Sequence, residues 1–200
     1  MSGTTLGNVQ SLLVKSDNDV EADFVKKVIL SLGKNDISKH KNDVEQVNVN
    51  FTICIEAAKQ KYLFAQIGIC SILPRRGKYI HLQALNAAAT SVNTFVRKLC
   101  NKNTNLQYID LWTECTPNGV PTRGIYDLND PSGVHINSAG SEFLGEIFAD
   151  FASSVSDNEY QTPQSKKRLR SSTSTPGSEV KQQSKIPKPS TCRHILYIYT

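Results

Sequence analysis

Residues 28–36 read Val28-Ile29-Leu30-Ser31-Leu32-Gly33-Lys34-Asn35-Asp36, an apolar run closed by a glycine and three polar residues. A run without polar alternation is the mark of a strand covered on both faces, as in parallel sheets flanked by helices. Working outward, Val44, Val47, Phe51, Cys54, Ile55 and Ala58 recur at helical spacing. Leu63 to Cys70 is a second apolar run, stopped by Pro74-Arg75-Arg76-Gly77. A second helical stripe runs through Leu85, Ala88, Ala89, Val92, Phe95, Val96 and Leu99. Leu106 to Trp112 reads as a third strand. Phe143, Leu144, Ile147, Phe148 and Phe151 then mark one face of a helix starting near Asn137-Ser138. Strand and helix in alternation predict parallel strands with crossover helices, a three-layer α/β/α sandwich. Three strands are few for a sheet that usually has about five, so the expectation is a first strand missing from the front.

The chain has 200 residues and a formal net charge of +5. Residues 1–155 carry 15 Lys+Arg against 15 Asp+Glu, whereas residues 156–200 carry eight against three. The folded part is therefore neutral, and only the tail has the excess that points to polyanions. No run approaches the roughly 18 apolar residues of a membrane span, and the start lacks the pattern of a secretory signal. The expectation is no membrane and a cytoplasmic or nuclear location. Five scattered cysteines without a Cys-x-x-Cys pair argue against a disulfide framework and a zinc site. Cys54, Cys70 and Cys100, in apolar surroundings, read as core residues. No cofactor or metal is indicated.

In parallel α/β sheets, functional residues collect on loops at the carboxyl ends of the strands. Asn35 follows the first strand and has two readings: an amide aimed at a developing oxyanion, or a helix N-cap, the commoner role for asparagine at such a place. Histidine in Asp130-Pro131-Ser132-Gly133-Val134-His135-Ile136-Asn137-Ser138-Ala139-Gly140 stands just before the last helix, with acids upstream, a setting for a general base oriented by a carboxylate. Ser2-Gly3-Thr4-Thr5-Leu6 holds a glycine that permits close backbone approach ahead of a helix start. Lys34 and the Arg75-Arg76 pair have two readings, contact with an anionic substrate or, the commoner one, solvated charge; Tyr108 and Trp112 read as packing around the third strand.

In order and spacing these segments resemble the SGNH (GDSL-like) hydrolase superfamily. Gly3 matches its glycine block, Gly33-Lys34-Asn35-Asp36 its Gly-x-Asn-Asp block, and His135 with Ile-Asn-x-x-Gly its last block. The resemblance covers about residues 1–153 and, with Leu73-Pro74-Arg75-Arg76-Gly77, extends to esterase-like domains of some retrotransposon proteins. It implies a flavodoxin-like fold, a small ester as substrate, His135 as base, and Asn35 and Gly3 as oxyanion donors. Two departures stand out. The nucleophile block, a Gly-Asp-Ser turn after a first strand, has no counterpart, so inactivity is expected and no nucleophile is assigned. Ser132 replaces the aspartate three residues before His135, and Asp130 is the acid in its place, reached around Pro131.

Residues 1–155 are thus expected to form one SGNH-like domain and 156–200 a Ser/Thr/Pro-rich disordered tail. The basic cluster Lys166, Lys167, Arg168 and Arg170 reads first as part of a solvated disordered end, and otherwise fits nucleic acid or an import receptor as partner. This opens an alternative, a non-catalytic adaptor that keeps the fold. The apolar Ile195-Leu196-Tyr197-Ile198-Tyr199 is either an edge strand or an imperfect end of the gene.

Overall fold

A computed structural model describes residues 5–15, 22–40, 43–77, 80–154 and 194–199. In chain order the elements are α1 (Leu6–Lys15), β1 (Val25–Ser31), α2 (Lys34–Lys39), α3 (Val44–Lys61), β2 (Gln66–Cys70), α4 (Leu82–Asn101), β3 (Leu106–Ile109), α5 (Leu111–Cys115), α6 (Ser138–Ser153) and β4 (His194–Tyr199). Gly3, Cys192 and the cluster Lys166, Lys167, Arg168 and Arg170 lie outside the described residues.

The sheet has the order β3-β2-β1-β4 and every pairing is parallel. Alternation along the strands sends side chains to two cores. Val28 and Leu30 of β1, with Ile67 and Ile69 of β2, pack under α1, α3 and α4. Ile29, Cys70 and Ile109 face Leu144, Phe148 and Phe151 of α6. The result is the three-layer α/β/α sandwich, with both faces of the sheet dry. That dryness explains the unbroken apolar runs.

Two strand boundaries differ from the sequence reading. Leu63 and Phe64 are exposed in the turn before β2. The third strand stops at Ile109, because the Asp110 side chain accepts the Thr113 N–H at 3.1 Å and starts α5. Trp112 therefore lies on a helix. At the C-terminal end, residues 194–199 form the edge strand beside β1.

One buried charge faces that core. Lys27 is 3% exposed; its ammonium donates to Gln66 Oε1 and, at 2.9 Å, to Ser154 Oγ just past α6. It also lies 4.8 Å from the centroid of the Phe151 ring. A cation at a helix C-terminus is electrostatically favourable.

The other face is organised by Asp36 in the first turn of α2. Both its carboxylate oxygens accept the Leu6 N–H, at 3.0 and 3.2 Å. This N–H has no partner within α1, as with every first-turn amide, so the carboxylate ties the start of α1 to the carboxyl end of β1. Burial pushes the Asp36 carboxyl above its usual range, against the pull of the Leu6 N–H, His40 and Lys39. Its linkage follows: stability from this group is full below the ordinary carboxyl range and declines as pH rises through the raised value. Asp36→Ala is expected to cost about 1–3 kcal/mol, read as a lower urea midpoint. Asp36→Asn keeps an acceptor without the charge, so its stability should lack that decline with pH. An unchanged pH dependence in Asp36→Asn would refute the assignment.

Candidate active site

Three loops meet at the carboxyl ends of β1 and β2. The first is the turn from β1 into α2. Gly33 caps α2 at φ 96°, the left-handed region, and a β-carbon there would stand 2.5 Å from Phe51 and 2.9 Å from Ile72; glycine is required on both counts. Asn35 is the second residue of α2, so the N-cap reading falls to Gly33.

The second loop, residues 71–76, is irregular and would leave its peptide groups unpaired. Two asparagines of α4 supply the partners. Asn93 accepts the Ile72 N–H at 2.7 Å and donates to its carbonyl at 3.0 Å. Asn86 does the same for Arg75, at 2.7 and 2.9 Å. The buried Tyr126 hydroxyl donates to the Pro74 carbonyl at 2.7 Å.

The third loop carries the histidine. Asp130 Oδ2 lies 3.1 Å from His135 Nδ1. The same carboxylate accepts the Ser132 hydroxyl at 2.7 and 2.8 Å and the Ser132, Val134 and His135 N–H groups at 2.8–3.0 Å. The chain turns around Pro131, so the acid five residues back reaches the ring. Ser132, at the position where a carboxylate was expected, serves as a donor to Asp130. The Asp130 side chain is 9% exposed and that of His135 is 70% exposed. Burial alone would raise the Asp130 carboxyl. The His135 N–H, the Ser132 hydroxyl and the Val134 and Ser132 N–H groups outweigh it and hold the group well below the usual carboxylate range.

The loops are joined to one another. Arg76 donates its N–H to the Gly133 carbonyl at 2.9 Å. Gly133 has φ 64°, and a β-carbon on it would fall 1.5 Å from the Arg76 carbonyl oxygen. Lys34 Nζ lies 3.5 Å from the Val134 carbonyl, next to the histidine. Arg75 donates to the Lys34 carbonyl at 3.0 Å and to the Ser38 hydroxyl. Lys34 and Arg75 are partly buried and bonded, which corrects the reading of both as solvated charge. Burial first, and Arg75 second, lower the Lys34 ammonium from its ordinary value, while Asp130 pulls the other way. Their sequence signal was only a basic residue beside each strand end.

Asn137 completes the positioning of the loop. Its side chain accepts the Gly140 N–H at 2.8 Å and caps α6, and its amide donates to the Gly124 and Tyr126 carbonyls. The Ile-Asn-x-x-Gly pattern thus fixes where the helix after His135 begins. The Tyr108 ring joins the core under α4 with Arg97 stacked 4.5 Å above it, and Trp112 packs against that core too, as packing residues should. Cys54, Cys70, Cys100 and Cys115 are buried. Burial pushes the Cys54 thiol up to about 12 and those of Cys100 and Cys115 to about 11, and raises Cys70 as well. None is disposed to act as a thiolate.

Because the Asp130 carboxyl is depressed, its contribution is present above the ordinary carboxyl range and is lost only as pH falls through the lower value. Protection factors of the Val134 and His135 amides should therefore hold while ordinary carboxylates protonate near pH ~4. In Asp130→Ala they should drop about tenfold or more at every pH above that lower value, since bonds to a charged acceptor are lost. Equal protection in the variant would show that the loop is held by something else.

Comparison with known proteins bears on the fold and on the family. No curated protein sequence matches the chain. Among solved structures, it is similar to a candidate platelet activating factor from Streptococcus pneumonia, with 21% identity, a TM-score of 0.60, and 74% of this chain and 68% of that one covered. A candidate acylhydrolase from Bacteroides fragilis shares 16% identity with a TM-score of 0.56 over 74% and 69% of the two chains. For a candidate lipolytic protein of the G-D-S-L family from Desulfitobacterium hafniense the values are 17%, 0.53, 74% and 75%. At these identities the likeness speaks for the fold. The sequence itself matches the family of GDSL-like lipases and acylhydrolases over residues 1–148, and the chain belongs to that family.

Proposed function

We propose that this chain carries the base, the acid and part of the oxyanion hole of a serine esterase acting on a small ester. The observation that carries the reading is the 3.1 Å contact between His135 Nδ1 and a desolvated, fully hydrogen-bonded Asp130. With Nδ1 turned to a carboxylate, the proton sits on Nδ1 and Nε2 keeps its lone pair, the tautomer that a general base needs. His135 takes the proton of an attacking serine and returns it to the leaving alcohol. Asp130 fixes the ring and stabilises the imidazolium that forms between those steps. Asn35, at the start of α2, supplies an amide donor to the oxyanion, and Gly3 a backbone donor.

No nucleophile is assigned among the described residues. The Ser132 hydroxyl is spent on Asp130, and the described thiols are buried. By itself the chain is inactive or nearly so, because removing the serine of such a triad leaves only the small rate contributed by binding and the oxyanion hole.

The test is an extension of the chain at its front with a strand ending in Gly-Asp-Ser, assayed with p-nitrophenyl acetate. The extended chain should hydrolyse the ester, and the unextended one should stay near background. Asn35→Ala in the extended chain should slow turnover by about 10²–10³. His135→Ala should fall to the rate of a serine-less variant, since triad members act as a unit. Equal rates for His135→Ala and the extended parent would overturn the proposal.

A further inference from the structure

Lys34 is the residue at the candidate site that the esterase reading leaves without a task. It stands between Gly33, which caps α2, and Asn35, the side-chain donor of the proposed oxyanion hole. Its ammonium is partly buried, and among the described residues the acceptor it reaches is the neutral Val134 carbonyl, at a long 3.5 Å. An ammonium has three N–H donors, and a cation drawn out of water is costly unless it is both paired and hydrogen-bonded. One long bond to a peptide oxygen meets neither need.

The surroundings sharpen the imbalance. Arg75 brings a second positive charge, donating to the Lys34 carbonyl at 3.0 Å and to the Ser38 hydroxyl, both of them uncharged. Burial and the Arg75 charge both lower the Lys34 ammonium, and Asp130 is the acid that pulls it the other way. The Asp130 oxygens are already committed to the Ser132 hydroxyl, to three N–H groups and to His135 Nδ1. The two cations therefore look toward a carboxylate that other donors hold. We propose that Lys34, backed by Arg75, is the recognition site for an anionic group on the substrate, so that the ester taken is an acidic one, bearing a carboxylate or a phosphate. This rests on the esterase reading of His135. The ammonium touches the peptide group that leads into His135, so the anion and the ester carbonyl are only a few bonds apart, a spacing that a short acidic ester meets. Lys34 decides which ester binds and takes no part in the proton transfers.

The chain as it stands is expected to leave esters intact, so esters themselves serve as ligands. Monomethyl succinate and 2-acetoxyethyl phosphate are the anionic probes and dimethyl succinate the uncharged one, with binding read from the Val134 and His135 amide signals. An anionic probe should bind the parent about tenfold or more tightly than dimethyl succinate, as a hydrogen bond between charged groups does. Either anionic probe meeting this expectation upholds the site, and the tighter one names the group it takes. Lys34→Met and Lys34→Gln, which lose the charge, should erase the preference, whereas Lys34→Arg should retain most of it. Amide protection of Arg76, which donates to Gly133, reports that each variant keeps its loops. No preference in the parent, or the same preference in a folded charge-free variant, overturns the proposal. Turnover by the front-extended chain separates the two claims. Equal kcat/KM for monomethyl and dimethyl succinate keeps the esterase and sinks the anion site. Charge-selective binding without hydrolysis of any probe upholds the anion site and sinks the esterase reading.

Discussion

The Asp130 carboxylate has been taken out of water yet kept charged, and the candidate site is built around the donors that make this possible. Removing a carboxylate from solvent costs several kcal/mol even after relaxation. Each hydrogen bond to a charged acceptor returns about 1.5–3 kcal/mol. The Ser132 hydroxyl and three N–H groups are enough to reverse the balance, which is why the group is driven below rather than above its usual range. Those donors come from consecutive stretches of one tight loop, so the charge also dictates the loop's shape. His135 gains its orientation as a by-product: its own N–H and its ring nitrogen answer to the same oxygen.

That loop is held in place by its neighbours, and the holding is done mostly by peptide groups. Gly133 meets the backbone of Arg76 directly, residues 72 and 75 are held by Asn93 and Asn86, and Tyr126 reaches Pro74. Irregular chain at the carboxyl ends of β1 and β2 thus acquires the rigidity of a ladder without being a strand. Rigid supports of this kind are what a positioned base requires. Lys34 and Arg75 add a second layer, tying the start of α2 to both other loops.

The parts of this that were legible in the sequence share a property: local pattern and tertiary environment demand the same residues. β1 and α6 are of that sort, since a strand buried on both faces and a helix with one apolar face leave unambiguous traces at Val28–Leu32 and at Phe143–Phe151. The Gly33 and His135 blocks were legible because each needs a specific residue at a specific bond. Where two signals overlapped, the reading slipped. Leu111 and Trp112 continue the apolar run of β3, and only the capping by Asp110 reveals the helix. Asn86 and Asn93 stand between the apolar positions of the α4 stripe, and only the fold shows that their spacing of two turns points both at one loop. The acid at Asp130 was offset from its usual spacing, and the turn at Pro131 to Gly133 that restores it is a three-dimensional fact. For the apolar segment at 195–199, only pairing decides, because an isolated apolar pentapeptide has no preference for a partner of its own.

The pairing of β1 with β4 also constrains the order in which the molecule assembles. It is the contact of longest sequence separation in the sheet, and contacts of that kind form late because the chain has to be gathered before they reward it. During synthesis β1, β2 and β3 with their helices can consolidate while the edge of β1 still bears unpaired peptide groups, an open template for any extended segment nearby. The nascent protein therefore passes through a stage in which its least protected surface adjoins the carboxyl end of β1, and the ribosome delivers the strand that covers it last.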